Sequence, residues 1–268
     1  MNGARQNAGR WALVTGASAG IGEAYARFLA ARGHSLVLCA RRVDRLESLA
    51  ETLQRNHQAE ILIRPCDLSD PDAVESLVDS IDVNVDVLVN SAGYAIPDYF
   101  VESDWKTLRA FLEVMAMVPI RLSHAFTPDM VRRGWGRIIH VSSLAAFVSE
   151  SPGSLYGPTK TFMVGYARSQ ARELAGTGVH VTALCPGFTR SEFHDVLGNR
   201  EEVDRLPRWM WGDVEPVVRA GWYAVEKGQE ICVPGLVNKG IHALFSMMPA
   251  LVERRLPHAK MPGRQKPT

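Results

Sequence analysis

Tyr156 and Lys160 stand four positions apart in a run, 154–172, that reads as a helix. Positions i and i+4 of a 3.6-residue helix share a face, one turn apart. A phenol and an ammonium held that way are electrostatic neighbours. At ~4 Å and an effective dielectric near 20, the ammonium favours a phenolate by roughly 4 kcal/mol. With each pKa unit worth ~1.36 kcal/mol, a phenol is drawn from ~10 toward ~7. A tyrosine so tuned can give or take a proton at neutral pH. The plain alternative is a solvated helix face, so the reading depends on what else the chain supplies.

The elements around the pair follow a regular order. Trp11–Thr15 is a short β-branched run that breaks into Gly16, Gly20 and Gly22, spaced G-x-x-x-G-x-G, before an amphipathic run over 23–32. Strand, glycine turn and helix make a dinucleotide-binding unit: glycine permits a tight turn and close backbone approach, and a helix N-terminus offers amides to a diphosphate. Ser35–Ala40 is the next strand. An NAD site wants an acid here for the ribose 2′-hydroxyl. Ala40 stands at that place, followed by Arg41 and Arg42, and a guanidinium grips a 2′-phosphate that a carboxylate would repel. NADP is therefore expected.

Further strands are expected at Ile61–Pro65, Val85–Asn90, 137–141, 179–185 and 230–233. Asp70 and Pro71 should cap and open a helix to about 81. A long helix over 103–133 should open at Ser103 and kink at Pro119. A last regular helix is expected at 216–227. Strands alternate with helices, and the strands are too apolar for a one-sided sheet. The fold class is α/β, a doubly wound parallel sheet (Rossmann-like) in a single domain over 1–268. A helical lid is expected over 188–212, where Phe193, Trp209, Met210 and Trp211 either cover an apolar substrate or form a packed connector. In the C-terminal extension, 236–268, the apolar run 241–252 could cap the pocket, pack on a second subunit, or touch a membrane beside the basic tail 254–266.

Composition excludes several functions. The chain has 268 residues, 46% hydrophobic and 22% charged, with a net charge of +1, so no bulk field recruits nucleic acid. Cys39, Cys66, Cys185 and Cys232 lie in or beside apolar runs without metal spacing, which fits buried thiols in a reducing compartment. No metal site is expected. No signal segment and no transmembrane stretch is read, and the expected location is cytoplasmic.

Taken together, the motifs resemble those of the short-chain dehydrogenases/reductases, compact single-domain branch, over about 11–235. Thr15-Gly16-Ala17-Ser18-Ala19-Gly20-Ile21-Gly22 resembles TGxxxGIG; Asn90-Ser91-Ala92-Gly93 resembles NNAG; Ser143 lies thirteen residues before Tyr156; Tyr156 and Lys160 form YxxxK; Pro186-Gly187 with Ser191 resembles PGxxxT. The resemblance implies catalytic roles for Ser143, Tyr156 and Lys160. It implies cofactor contacts at Gly16, Ser18, Ala19, Gly20, Ile21, Gly22, Arg41 and Arg42. It extends them to Asp67 and Leu68 at the adenine, Asn90, Ala92 and Gly93 beyond it, and Pro186, Gly187, Phe188 and Ser191 near the nicotinamide, where Tyr156 and Lys160 also reach. It departs at Met115, where the family has an asparagine that supports a water linking the lysine to solvent. A thioether donates no hydrogen bond.

The reaction expected is NADP(H)-dependent interconversion of a ketone or aldehyde and an alcohol on a hydrophobic molecule, in a homodimer or homotetramer such as relatives form. Two other readings are a cofactor-binding sensor or scaffold, motivated by Met115, and a nucleotide-sugar dehydratase or epimerase. The short chain beyond Pro186 leaves little room for the latter.

Overall fold

A computed structural model describes residues 9–147, 155–190, 192, 207 and 210–247. Seven strands form one parallel sheet in the order β3-β2-β1-β4-β5-β6-β7. They are β1 (Trp11–Thr15), β2 (Ser35–Ala40), β3 (Ile61–Pro65), β4 (Val85–Asn90), β5 (Gly136–Val141), β6 (Val179–Leu184) and β7 (Ile231–Cys232). The central strands are nearly continuous apolar runs because helices cover both faces of the sheet. On one face α1 (Gly20–Ala30), α2 (Val43–His57) and α7 (Val214–Glu226) bury Leu29, Leu46 and Trp222 against β1 and β2. On the other, α3 (Pro71–Asp79), α5 (Val118–Arg132) and α6 (Tyr156–Glu173) bury Leu77, Leu122 and Ala167 against β1, β4 and β5.

Local chemistry sets the helix starts. Asp70 caps α3 by accepting the Asp72 amide at 3.0 Å, with Pro71 in the first turn. The helix expected from Ser103 is capped by Asp104, whose carboxylate takes the Thr107 amide and hydroxyl at 2.9 and 2.6 Å and outcompetes a serine one residue earlier. The expected kink at Pro119 is replaced by a change of winding one turn earlier. Between α4 (Trp105–Leu112) and α5, Glu113–Met117 form a π-helical turn, with Pro119 in the first turn of α5. Pro119 has no N–H for the Met115 carbonyl and its ring crowds that carbonyl, so a one-residue shift in register there absorbs the misfit.

Helix α1 starts at Gly20, because the glycine turn runs directly into it. The C-terminal helix α8 (Leu236–Met247) starts earlier than the apolar run suggests. Phe193, Trp209 and the tail 254–266 lie outside the described residues, as does most of 188–212. Among the described residues no helix is long and apolar enough to cross a membrane, no metal-ligand cluster exists, and all four cysteines are buried free thiols.

Candidate active site

All strands run parallel, so their C-terminal ends open on one edge. The strand order reverses between β1 and β4, and a crevice forms there. Thr15, the last residue of β1, closes its floor: its hydroxyl accepts the amides of Ser91 and Ala92 at 3.0 and 3.1 Å and donates to the Val89 carbonyl at 3.3 Å. The glycine turn is packed against this loop. Gly16 has φ +67°, and a Cβ on it would lie 2.9 Å from the Ala92 Cα; one on Gly22 would meet the Gly16 carbonyl at 2.3 Å. Gly22 thus serves turn-to-helix packing. Ala19 precedes α1 in extended conformation with no side-chain cap, leaving the first-turn amides around Gly20 and Ile21 without a helical partner.

Beside this turn lies a cationic corner. Arg42 binds Ser18 through Nε and Nη2 to the hydroxyl, at 3.2 and 3.1 Å, and through Nη2 to the carbonyl at 3.3 Å. Its Nη1 reaches Glu192 at 3.1 Å, and Arg45 Nη1 contacts both oxygens of the same carboxylate at 2.6 and 2.8 Å. Arg41 is exposed; its charge and, more strongly, two hydrogen bonds from Ser69 hold the Asp67 carboxyl below its ordinary range. Both Ser69 bonds fall on Asp67 Oδ1, at 3.0 and 2.8 Å. Leu68 is buried in the core, so its side chain supports the loop from below. Unpartnered helix amides, a glycine cradle and an arginine corner that follows Ala40, where an NAD site would carry an acid, suit a phosphorylated dinucleotide.

The second half of the site hangs on β5 and α6. Tyr156 opens α6, and the Lys160 ammonium lies 5.5 Å from its ring centroid. Lys160 is only 8% exposed, and its Nζ donates to the Val141 carbonyl at 2.9 Å. Burial lowers its pKa to about 8, so it remains mostly charged at neutral pH. Ser142 locks α6 to the strand end by donating to the Lys160 carbonyl at 2.8 Å. Ser143 Oγ accepts the Ala145 amide at 3.1 Å, leaving its own proton to donate.

Gly93 lies close to both Met115 and Lys160. A Cβ on Gly93 would lie 3.0 Å from the Met115 sulfur and 3.7 Å from Lys160 Nζ. Met115, 4% exposed, belongs to a small apolar cluster with Ile96, Leu108 and Phe111, against which Tyr156 packs. Asn90, expected as a cofactor contact, is the last residue of β4. Its side chain turns inward, 5% exposed, and Nδ2 donates to His140 Nδ1 at 3.1 Å, while His140 Nε2 donates to Gln170 Oε1 at 3.1 Å. That tautomer follows from the two amide partners, and burial holds His140 neutral with a pKa of about 4.

After β6, the Pro186 carbonyl accepts the Leu144 amide at 2.9 Å, tying this turn to the Ser143 loop. Gly187 lies against α8: a Cβ there would lie 2.5 Å from Asn238 Oδ1, so the Asn238 side chain would have to move. Phe188 and Trp211 pack with ring centroids 5.8 Å apart. Ser191 lies outside the described residues. Beside Tyr156 lies a small cleft, half open to solvent, lined by Ile96, Asp98, Phe100, Ser103, Leu108, Phe111, Leu155 and Tyr156.

The short chain dehydrogenase family model matches residues 10–202. The chain belongs to the short-chain dehydrogenase family. Nodulation protein G of Rhizobium sp. (strain N33) is 38% identical over 201 residues, covering 72% of this chain and 79% of that protein. A short-chain dehydrogenase from Sphingobium yanoikuyae, solved in complex with NADPH, superposes with a TM-score of 0.80 at 29% identity over 96% of this chain and all of that one. The bulky-bulky ketone specific alcohol dehydrogenase from Comamonas testosteroni gives 0.76 at 26% identity, over 96% and 99%.

Within this short-chain dehydrogenase, sequence reasoning missed several residues that build the crevice. Thr15 and Ser142 adjoin residues already singled out, and their position at strand ends was the available signal. Arg45 and Glu192 offered none, because their partners lie far along the chain; Glu192 is 147 and 150 positions from the arginines it joins.

Proposed function

We propose that the protein reduces the carbonyl of a hydrophobic ketone or aldehyde, reversibly, with NADPH. Bound NADPH supplies the hydride that adds to the carbonyl carbon. Tyr156 gives its phenolic proton to the carbonyl oxygen as charge builds there. The Lys160 ammonium, on the same helix face one turn away, stabilises the phenolate left behind. Ser143 donates a hydrogen bond to the same oxygen and fixes its position, its lone pair being engaged by the Ala145 amide. Arg41 and Arg42 would take the 2′-phosphate, the first-turn amides of α1 the diphosphate, and Asp67 Oδ2 the adenine amine. NADPH is supported by the arginine corner and by the Sphingobium relative solved with it.

The observation that carries this reading is the convergence at Tyr156: it lines a small, half-open cleft of mixed polarity and has a buried ammonium 5.5 Å from its ring. An apolar wall of Ile96, Leu108, Phe111 and Leu155 favours a substrate with hydrocarbon bulk beside its carbonyl. The test is Tyr156→Phe, assayed with NADPH and a panel of hydrophobic ketones. Carbonyl reduction should fall about 10²–10⁴-fold, while the Kd for NADPH changes little. Reduction near the wild-type rate would remove Tyr156 from the role.

A further inference from the structure

Arg42 and Arg45 do not face solvent alone. A carboxylate already sits between them, held at 3.1 Å by one and at 2.6 and 2.8 Å by the other. Glu192 comes from the segment after β6, 147 and 150 positions along the chain from Arg45 and Arg42, so no local sequence pattern demands this pairing. The other arm of Arg42 holds Ser18 in the turn itself. The carboxylate therefore lies at the junction of turn and α2, where a 2′-phosphate on the adenosine ribose has to arrive.

We infer that Glu192 is an internal competitor for the 2′-phosphate, a specificity-determining residue that weakens phosphorylated coenzyme against its unphosphorylated counterpart. The inference rests on the NADPH reading above. A carboxylate and a phosphate monoester present the same kind of oxygen pair to a guanidinium fork. The phosphate carries nearly two charges at neutral pH and so displaces the single-charged carboxylate, at the cost of breaking its ion pairs. NADH brings no group to this corner, so the Glu192 pairs survive its binding. Arg45 enters as a phosphate ligand that becomes available only once Glu192 lets go.

The experiment is Glu192→Gln, which keeps the side chain's size. Binding is read by NADPH and NADH fluorescence, and by calorimetry with adenosine 2′,5′-bisphosphate and 5′-AMP, which isolate the phosphate end. Each exposed ion pair is worth up to about 1 kcal/mol, so the variant should bind NADPH and the bisphosphate about two- to tenfold more tightly. NADH and 5′-AMP should bind as in wild type. Unchanged or weaker bisphosphate binding would overturn the inference, the weaker case meaning that Glu192 orders the arginines for phosphate. If wild type binds NADPH no better than NADH, the coenzyme reading falls and this inference with it. If wild type prefers NADPH but the variant binds it equally well, only the role of Glu192 falls.

Discussion

Lys160 shows how a buried ammonium can work against stability. Folding lowers its pKa from 10.5 to about 8, and the leading cause is burial among Met115, Gly93 and the β5 carbonyl it bonds. The sign is therefore unfavourable for folding. Below pH 8 the group is charged in both states, and the folded protein carries the full penalty, on the order of 3 kcal/mol. Between about 8 and 10.5 the folded state sheds the proton first and the penalty fades. Apoprotein carrying Lys160→Met should thus melt above wild type at pH 7, with the gap closing as pH rises toward 10. Comparing the two proteins cancels the opposing contribution of thiols such as Cys232, raised by burial to about 11. Melting curves from pH 7 to 10 read the effect directly. A constant gap would mean that burial is not what depresses this ammonium.

The π-helical turn Glu113–Met117 is the element where sequence and structure part most usefully. Pro119 signalled an interruption, and the interruption exists, but the strain is absorbed a turn upstream where the winding changes. That turn swings Met115 onto Gly93 and Lys160, and there the thioether packs as core. Met115→Asn should cost about 2–4 kcal/mol of stability, because it empties part of the Ile96–Leu108–Phe111 cluster and buries an amide among apolar side chains. The Kd for NADPH should stay as it was, since the arginine corner lies at the other end of the crevice; thermal melting and coenzyme titration separate the two. The strands were legible because each buried run is apolar on both faces, and so were the glycine turn and the Tyr156 helix, whose signals lie within a few residues. The direction of the Asn90 side chain was not legible, because motif position cannot tell which way an amide turns. Its partner His140 is fifty residues away and becomes a neighbour only when β4 and β5 register against one another.

At the scale of the molecule, the proposed coenzyme spans the point where the sheet changes direction. The arginine corner belongs to β2 and α2, and the Tyr156 and Lys160 end to β5 and α6. The β1–β4 ladder and the shared cores join the two halves, Thr15 ties β1 to the loop after β4, and Ser142 ties β5 to α6. A ligand bridging both halves stabilises only the folded sheet, by RT ln(1 + [L]/Kd), about 2.7 kcal/mol at a hundredfold excess over Kd. For a chain of this length that corresponds to a rise in Tm of about 5 °C. NADP⁺ at that concentration should produce it, and NAD⁺ at the same concentration should produce distinctly less, because it leaves Arg42 with Glu192. Replacing Arg42 with alanine should bring the two shifts together by lowering that of NADP⁺, since the difference between the ligands resides in one phosphate. Equal shifts in the wild-type protein would instead mean that the guanidiniums beside Ser18 do not read the phosphate. The dinucleotide would then be held by backbone amides and Asp67 alone.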